Sequence, residues 1–436
     1  MQSVKEMAQK LYDSRHFNLA VFGLIAVLVL IAYSNTFTSS FHFDDSPSIS
    51  DNAMIKQATF DNLSALVFGS RPVVHLSLML NYQLNGLHVT GWHIFNIGVH
   101  IANGFLVYLF ILRTLTMPAL KARFAERARW MALFGSLLFA LHPIQTESVT
   151  YIISRSELLA TFFYLGTILL FISGAQTGKW RWYVAAFCSA VLAMGSKEWA
   201  VTLPAVLFLY DYLILSEGDI RTALSRWGAY LPIILSCWVA VRNLNLFSEG
   251  NTTVGFSITQ RSSSGEALTA WTYLLTSFNV IWTYIRLLFL PINQNIDYDY
   301  PIARTLLKFP TFLSGMGHLA VAGGAFWLFW KKRWVLVPFA VAWFYLTLSP
   351  VQSFVPVTDV IFEHRLYLPS IGFFLAFVVL YEKLFAWIEQ KEDASSEVSL
   401  HARVNAVAGK EPAPSQPGRK LTRKAARRAK KTGAEV

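Results

Sequence analysis

The chain has 436 residues, 54% hydrophobic and only 14% charged, with 34 Phe, 17 Tyr and 14 Trp; soluble domains carry about 25% charged residues, so a water-soluble globular domain is excluded. Its apolar runs are continuous and approach the ~20 residues that cross a bilayer, which excludes a β-barrel of alternating ~10-residue segments. Of the net charge of +11, more than half lies in residues 391–436, which hold 11 Lys/Arg against 5 Asp/Glu. These properties describe an all-α polytopic membrane protein. Cys188 and Cys237 both lie inside apolar runs without metal-ligand spacing, so neither a disulfide framework nor a zinc site is expected.

Lys5, Lys10 and Arg15 precede an apolar run at 17–33. No small-x-small cleavage site follows it, so a retained first helix with its basic start in the cytoplasm is expected. Residues 36–91 then form a first outer loop too long for a simple turn. A second span covers about 92–112, and the basic loop behind it (Arg113, Lys121, Arg123, Arg127, Arg129) belongs inside. Spans at 130–140 and 158–173 make a hairpin whose outer connection holds His142 to Glu157. Further spans at 183–195 and 199–215 flank Ser196-Lys197-Glu198 on the outside, and a seventh ends near Val241.

Residues 242–310 read as an outer juxtamembrane region. Counting 271–290 as a span would put Lys331-Lys332-Arg333 and the basic end on the wrong side. The stretch 271–310 is therefore expected to be a re-entrant or interfacial helix pair, capped by Asn295-Ile-Asp-Tyr-Asp-Tyr-Pro301. An eleventh span is the alternative. Spans near 311–330, 334–348 and 366–388 bring the total to about 10 transmembrane helices in a membrane domain over 1–390. Residues 391–436 are expected to be a disordered basic cytoplasmic tail. Such a tail fixes topology, and it can bind anionic lipid head groups at roughly 1 kcal/mol per basic residue near the surface. No nucleic-acid-binding fold accompanies it, so no specific nucleic-acid partner is expected.

Asp44 and Asp45 stand about ten residues beyond the first span, in Phe41-His-Phe-Asp-Asp-Ser-Pro47. Adjacent acids in an extended segment point to opposite sides. They read either as an Asx turn ahead of Pro47 or as an acid placed for chemistry at the outer surface. Arg155, Glu157, Lys197, Glu198, Glu363, His364 and Arg365 stand at membrane entries, where ionisable groups are functional candidates. Snorkelling is the competing account for the cations, and buried ion pairs for Glu147, Glu157, Glu198 and Glu363. His142, ahead of Pro143, reads as a structural histidine. His93 and His100 share a helix face with Asn96 and Asn103. Their spacing is not the i, i+4 of a chelating pair, so interhelical hydrogen bonding is expected.

Several outer segments carry a resemblance. Arg71-Pro-Val with Asn81-Tyr and Gly86-Leu is followed by Gly91-Trp-His93-x-x-Asn96-x-x-x-His100. Next come His142-Pro-x-x-Thr146-Glu147-x-Val149 and Arg155-Ser-Glu157-Leu-Leu-Ala160. Ser196-Lys197-Glu198, Tyr210-Asp211, Asp297-Tyr-Asp299 and Arg365-Leu-Tyr-Leu-Pro-Ser-Ile-Gly372 complete the series. In this order, over roughly 20–388, they resemble the membrane domain of the transmembrane-and-tetratricopeptide-repeat O-mannosyltransferases and their bacterial relatives, in the glycosyltransferase-C (GT-C) superfamily. The resemblance implies a GT-C-like bundle with outer-face loops and juxtamembrane helices. It also implies a polyprenyl-phosphate sugar donor and a catalytic acid in the first outer loop, at Asp44 or Asp45, with Asp44 preferred.

A base must take the acceptor proton, and guanidinium forks suit the leaving phosphate. Arg365 and Arg155, then Arg71 and Lys197, are the expected phosphate ligands, with His142, Glu147, Glu157, Glu198, Glu363 and His364 in support. No cofactor is assigned; a divalent cation stays open, although a monophosphate donor has less need of one than a nucleotide diphosphate. No 34-residue tetratricopeptide period follows the membrane part, so the acceptor stays open among a glycan, a lipid-linked sugar and a protein. The expected reaction is transfer to a hydroxyl with inversion on the outer face. A bacterial cytoplasmic membrane is preferred over endoplasmic reticulum, with both termini cytoplasmic. The rivals are a flippase for lipid-linked saccharides, which calls for polar groups near the bilayer midplane and broken-helix repeats, and a non-catalytic assembly protein.

Overall fold

The computed structural model describes residues 16–243, 259–261, 265, 267–332 and 334–407. Lys5, Lys10, Arg15, Arg333 and residues 408–436 of the basic end lie outside them. Two compact units divide the chain, one up to Leu380 and one from Tyr381.

The first helix, α1 (Phe17–Ala32), buries Phe17, Val21, Ile25 and Val29. That every-fourth-residue stripe faces the bundle, while Leu19, Val27 and Ile31 on the other faces stay exposed, as expected of a helix with protein on one side and lipid on the other. The first outer loop then folds into short helices, α2 (Phe60–Phe68) and α3 (Pro72–Asn85). Helix α4 (Val89–Leu115) descends through the bundle, and α5 (Ala128–Leu141) returns to the same end. Short turns at Pro143–Gln145, Thr146–Thr150 and Ile152–Ser154 lead into α6 (Arg155–Thr177). Gly178, at φ +66°, permits the tight reversal into α7 (Trp180–Met194).

After a 3₁₀ turn at Glu198–Thr202, α8 (Leu203–Tyr210) ends in a π turn at Asp211–Leu215, and α9 (Trp227–Asn243) follows. Strands β1 (Thr259–Arg261) and β2 (Ala267–Thr269) pair antiparallel. Helix α10 (Ala270–Phe289), capped reciprocally by Thr269 and Thr272, packs against α11 (Phe309–Lys332). Helix α12 (Leu336–Leu348) and the 3₁₀ turn Glu363–Leu366 precede α13 (Pro369–Val407).

The molecule is a multi-pass, all-α membrane protein. Among the described residues, five helical stretches are long and apolar enough to cross a bilayer, and five shorter apolar helices (Phe17–Ala32, Ala128–Leu141, Trp180–Met194, Trp227–Arg242 and Leu336–Leu348) accompany them. Each expected span coincides with one of these stretches. Two expectations fail. Residues 271–310 hold one helix rather than a pair, because Pro291, Pro301 and a left-handed Asn293 (φ 58°) stop helix formation after Phe289. Residues 391–407, expected to be disordered, continue α13. Glu389, Gln390, Lys391, Glu392 and Ala394 are good helix formers, and their local preference outweighs the polar composition.

Buried polar side chains tie the bundle together. His93, Asn96, His100 and Asn103 form one fully buried stripe on α4. Asn96 Nδ2 donates to the Val149 and Ile152 carbonyls at 3.3 and 3.2 Å. Asn103 Nδ2 donates to the Leu158 carbonyl at 2.9 Å, and the ring nitrogens of His100 bond the Ala140 carbonyl and the Tyr367 hydroxyl. The partners include the Ala140 carbonyl in the last turn of α5, which has no intrahelical donor, and carbonyls along 149–158, so the stripe pins the connection 142–158 to the bundle. Farther along, α12 and α13 meet where Gly372 lies against α12. A Cβ there would stand 2.6 Å from the Ala340 carbonyl oxygen and 2.7 Å from Trp343. Gly323 on α11 has nothing within 4 Å of a built Cβ.

Gly372→Ala is therefore expected to lower thermal stability in detergent by about 1–3 kcal/mol through overpacking. Gly323→Ala should leave it unchanged or slightly raised. Equal midpoints for the two variants would contradict this close helix approach.

Candidate active site

The first turns of α6, the 3₁₀ turn ahead of α8, the first loop, and the turns around 147 and 364 bring the charged candidates together. The first loop leaves α1 through a 3₁₀ turn and reaches Phe43, which holds a left-handed φ of 44°. A bulky residue there is strained, and such strain is concentrated at functional sites. The two acids that follow part company. Asp45 is 1% exposed. Its Oδ2 accepts from the His42 amide at 3.1 Å and its Oδ1 from the Ile153 amide at 2.9 Å. Burial pushes its carboxyl above the usual range, and the two amides oppose that rise. Asp45 thus fastens the first loop to the entrance of α6. Asp44 is exposed. Its backbone amide donates to the Tyr151 hydroxyl at 2.9 Å, and its carboxylate has no hydrogen-bond or ion-pair partner among the described residues. Tyr151 is therefore its direct neighbour.

The cations differ in the same way. Arg71 sits at the start of α3 with φ 47° and grips Glu198 with both arms of its fork, Nε to Oε1 at 2.8 Å and Nη2 to Oε2 at 3.0 Å. Lys197 Nζ stands 2.7 Å from Glu157 Oε1, and Trp199 Nε1 donates to Glu157 Oε2 at 2.7 Å. Arg155 is fully buried, donating to the Ser77 carbonyl and to Asn81 Oδ1, with its guanidinium 4.4 Å from the Phe95 ring centroid and 5.1 Å from that of Trp92. The expected phosphate ligand Arg155 is thus enclosed among α3, α4 and α6, where it braces the first loop.

Arg365 differs from Arg71 and Lys197, which are ion-paired; Arg155 shares with it a buried nitrogen, Nε, that has no partner among the described residues. Arg365 Nη2 donates to the Asp359 carbonyl at 2.8 Å and its guanidinium lies 5.2 Å from the Phe362 ring centroid. Nη1 has no hydrogen-bond acceptor in good geometry among the described residues, although the Tyr273 hydroxyl stands beside the guanidinium; among the described residues no carboxylate lies within ion-pair distance of the side chain. A buried donor left unbonded is costly, and an incoming anion would satisfy it.

His364 and Glu363 flank this arginine. His364 Nδ1 lies 2.5 Å from Glu147 Oε1, its amide donates to Glu147 Oε2 at 2.9 Å, and its Nε2 is 3.9 Å from Glu157 Oε1. Glu363 accepts from the Asn295 amide at 2.8 Å and from Gln294 Nε2 and the Tyr298 hydroxyl at 2.5 Å. That clasp holds the irregular segment after α10 over the turn that carries Arg365. His142 is structural, accepting from the Ile144 amide through Nδ1 while Nε2 bonds the Leu288 carbonyl. Among the described residues, no three His, Cys, Asp or Glu side chains form a group able to hold a metal ion. Sequence reasoning missed Tyr151 and the Ser77–Asn81 pair, although an aromatic between Glu147 and Arg155 was a usable signal.

Comparison with known proteins bears on this geometry. Residues 92–244 match the family described as dolichyl-phosphate-mannose-protein mannosyltransferase. Protein O-mannosyl-transferase tmtc2 of Xenopus laevis is 27% identical over 312 residues, 65% of this chain and 36% of that protein. Protein O-mannosyl-transferase TMTC2 of Mus musculus is 26% identical over 339 residues, 68% of this chain and 38% of that protein. A protein O-mannosyl-transferase of Caenorhabditis elegans is 25% identical over 387 residues, 83% of this chain and 51% of its own length. The membrane domain is of the GT-C kind and resembles that of the protein O-mannosyl-transferases. The chain spans between about a third and a half of the length of these relatives. No solved structure matches it. The family match includes Glu147, Glu157, Lys197 and Glu198 and leaves Asp44 and Arg365 outside its bounds.

The Glu147–His364 pair has a measurable signature. Burial raises the Glu147 carboxyl from 4.5 to about 7, and burial, helped by Lys197, lowers the His364 imidazole from 6.5 to about 3. Between pH 4.5 and 6.5 the pair holds one proton whether folded, on Glu147, or unfolded, on His364. Its contributions to the pH dependence of stability therefore cancel. His364→Gln leaves Glu147 alone, with the folded state keeping a proton that the unfolded state has lost. Stability should then fall as pH rises from 4.5 to 7, by up to about 1.4 kcal/mol per pH unit. Glu147→Gln leaves an imidazole that gains a proton only on unfolding, so stability should fall as pH drops below 6.5. Thermal midpoints against pH check both signs, and slopes of one sign in both variants would contradict the shared proton.

Proposed function

We propose that the protein is an inverting glycosyltransferase that moves a sugar from a polyprenyl-phosphate donor to an acceptor hydroxyl on the outer face of its membrane. Asp44 is the general base in this reading. As the acceptor oxygen attacks the sugar's anomeric carbon, the acceptor proton passes to the Asp44 carboxylate. The bond from that carbon to the phosphate oxygen breaks on the opposite side, and its electrons leave with the phosphate. Arg365 holds the charge that develops there, using the planar fork that suits phosphate oxygens. Lys197 and Arg71, each already paired with a carboxylate, add positive potential behind it.

One observation carries the reading: an exposed, unpaired carboxylate shares a neighbourhood with a buried guanidinium that has an unsatisfied donor. Arg365 donates to the Asp359 carbonyl, and Asp44 contacts Tyr151 in the turns that lead to α6. The other site cations of the expected set are ion-paired or enclosed. The relatives' printed names support mannose as the sugar and a protein hydroxyl as the acceptor. Clustering of the titratable groups at one end of the bundle favours surface chemistry over transport, which calls for a site near the midplane. Arg113, Lys121, Arg123, Lys179 and Arg181 at the opposite end support a cytoplasmic assignment for that end, so the site would be periplasmic in a bacterium and luminal in endoplasmic reticulum.

The test is turnover by purified protein in nanodiscs with a panel of short-chain polyprenyl-phosphate sugars, scored as polyprenyl phosphate released. Asp44→Asn is expected to reduce the rate by roughly 10²–10⁴-fold at an unchanged thermal midpoint. Asp45→Asn should lower the midpoint as well as the rate, because it weakens the fastening of the first loop. Full turnover in Asp44→Asn would overturn the assignment of the base, and saturable donor binding with no turnover in any protein would favour a transporter.

A further inference from the structure

At the end of the bundle opposite Asp44, the first turns of α7 and α9 diverge and leave a cavity of about 460 Å³. One wall is Trp180, Tyr183, Val184 and Phe187, and the other is Arg226, Ala229 and Pro232. The floor is rigid. Gly174 leaves room for the Tyr183 ring, where a Cβ would stand 2.8 Å from it. Phe171 packs on Tyr183 and Tyr230 with ring centroids 5.4 and 5.2 Å apart. The rim is built as well. Asp211, fully buried, receives Arg226 Nη1 at 2.6 Å, Ser216 Oγ at 2.7 Å and the Tyr230 hydroxyl at 2.5 Å. Arg226 also donates to Ser216 Oγ and the Thr222 carbonyl, again from Nη1. Arg226 also stands against the Tyr183 hydroxyl, so its guanidinium, with five donors, is held in a fixed position at the rim.

We infer that this cavity is a binding site for an anionic diacyl phospholipid of the leaflet opposite the active site. One acyl chain would lie against Tyr183, Val184, Phe187 and Pro232, and the phosphate would meet Arg226, Lys179 and Arg181. Three features support a phospholipid. The walls are apolar while the rim is cationic, the chemical profile of a lipid below its head group. Trp180 and Trp227 are 76% and 67% exposed on either side of the opening, the position of aromatic residues at a membrane interface. Lys179, Arg181 and Arg221 are exposed around it, and basic pockets between helices at the cytoplasmic side recognise anionic head groups. Nothing in this inference depends on the proposed transfer reaction.

The test is native mass spectrometry of the full chain titrated with phosphatidylglycerol, phosphatidylcholine of the same acyl chains, or polyprenyl phosphate. Saturable retention of phosphatidylglycerol in preference to phosphatidylcholine is expected. Gly228→Trp should abolish that preference by filling the opening, since a Cβ at Gly228 meets nothing within 4 Å. The double variant Lys179→Gln, Arg181→Gln should weaken retention roughly 10- to 30-fold. Equal retention of the two phospholipids, or retention unchanged in both variants, would overturn the inference and leave ordinary boundary lipid. Tighter capture of polyprenyl phosphate than of phosphatidylglycerol would overturn the choice of occupant.

Discussion

The candidate site depends on a chain of ionisable groups taken out of water: the ion pairs Lys197 on Glu157 and Arg71 on Glu198, joined by the proton-sharing pair His364 and Glu147. Such an array is tolerable only when each member is matched, because removal of one partner leaves a buried charge exposed to its full desolvation cost. The matching consumes the acids at the ends of α6 and α8 and fixes the turns that carry them. Among the described residues, the groups left without a partner include the Asp44 carboxylate, one arm of Arg365 and the enclosed Nε of Arg155. A base must keep a lone pair available and a phosphate ligand must keep a donor available. In the proposed reaction those two roles fall to Asp44 and Arg365.

The rest of the fold holds that network in place. The α4 stripe binds carbonyls at the ends of α5 and α6, which fixes the connection bearing Glu147 and Tyr151. Asp45 and Arg155 do the same for the first loop, one through the Ile153 amide and the other through Ser77 and Asn81. Glu363 clasps the segment after α10 through Asn295 and Tyr298. Preorganised groups of this kind need no rearrangement when charge develops, which is where electrostatic stabilisation of a transition state is most effective.

Much of the architecture was legible in the sequence because its signals are local. Apolar run lengths marked the spans, loop charges their order, and the spacing of His93, Asn96, His100 and Asn103 their shared face and hydrogen-bonding role. The site was legible as a set of residues but not as a division of labour. Asp44 and Asp45 are equivalent in the sequence, and only the amides of His42 and Ile153 distinguish them. Arg155 and Arg365 looked alike as membrane-entry arginines. Ser77 and Asn81, more than 70 residues before Arg155, decide that the first is enclosed, and long-range partners of that kind leave no local pattern. The single helix at 270–289 and the helical run beyond Lys391 were misjudged for the opposite reason, since loop charge and composition were weighted above local turn and helix preference.

The most direct measurement is the affinity of polyprenyl monophosphate, without sugar, for wild type, Arg365→Gln, Arg155→Gln and Asp44→Asn in nanodiscs. Arg365→Gln should weaken binding by at least about tenfold, the loss of one charge-assisted contact. Asp44→Asn should keep wild-type affinity or improve on it, because the substitution removes a neighbouring negative charge. Arg155→Gln should affect stability more than affinity. If Arg365→Gln binds as wild type does while Arg155→Gln loses affinity at an unchanged thermal midpoint, the phosphate lies elsewhere and the pairing of Asp44 with Arg365 is contradicted.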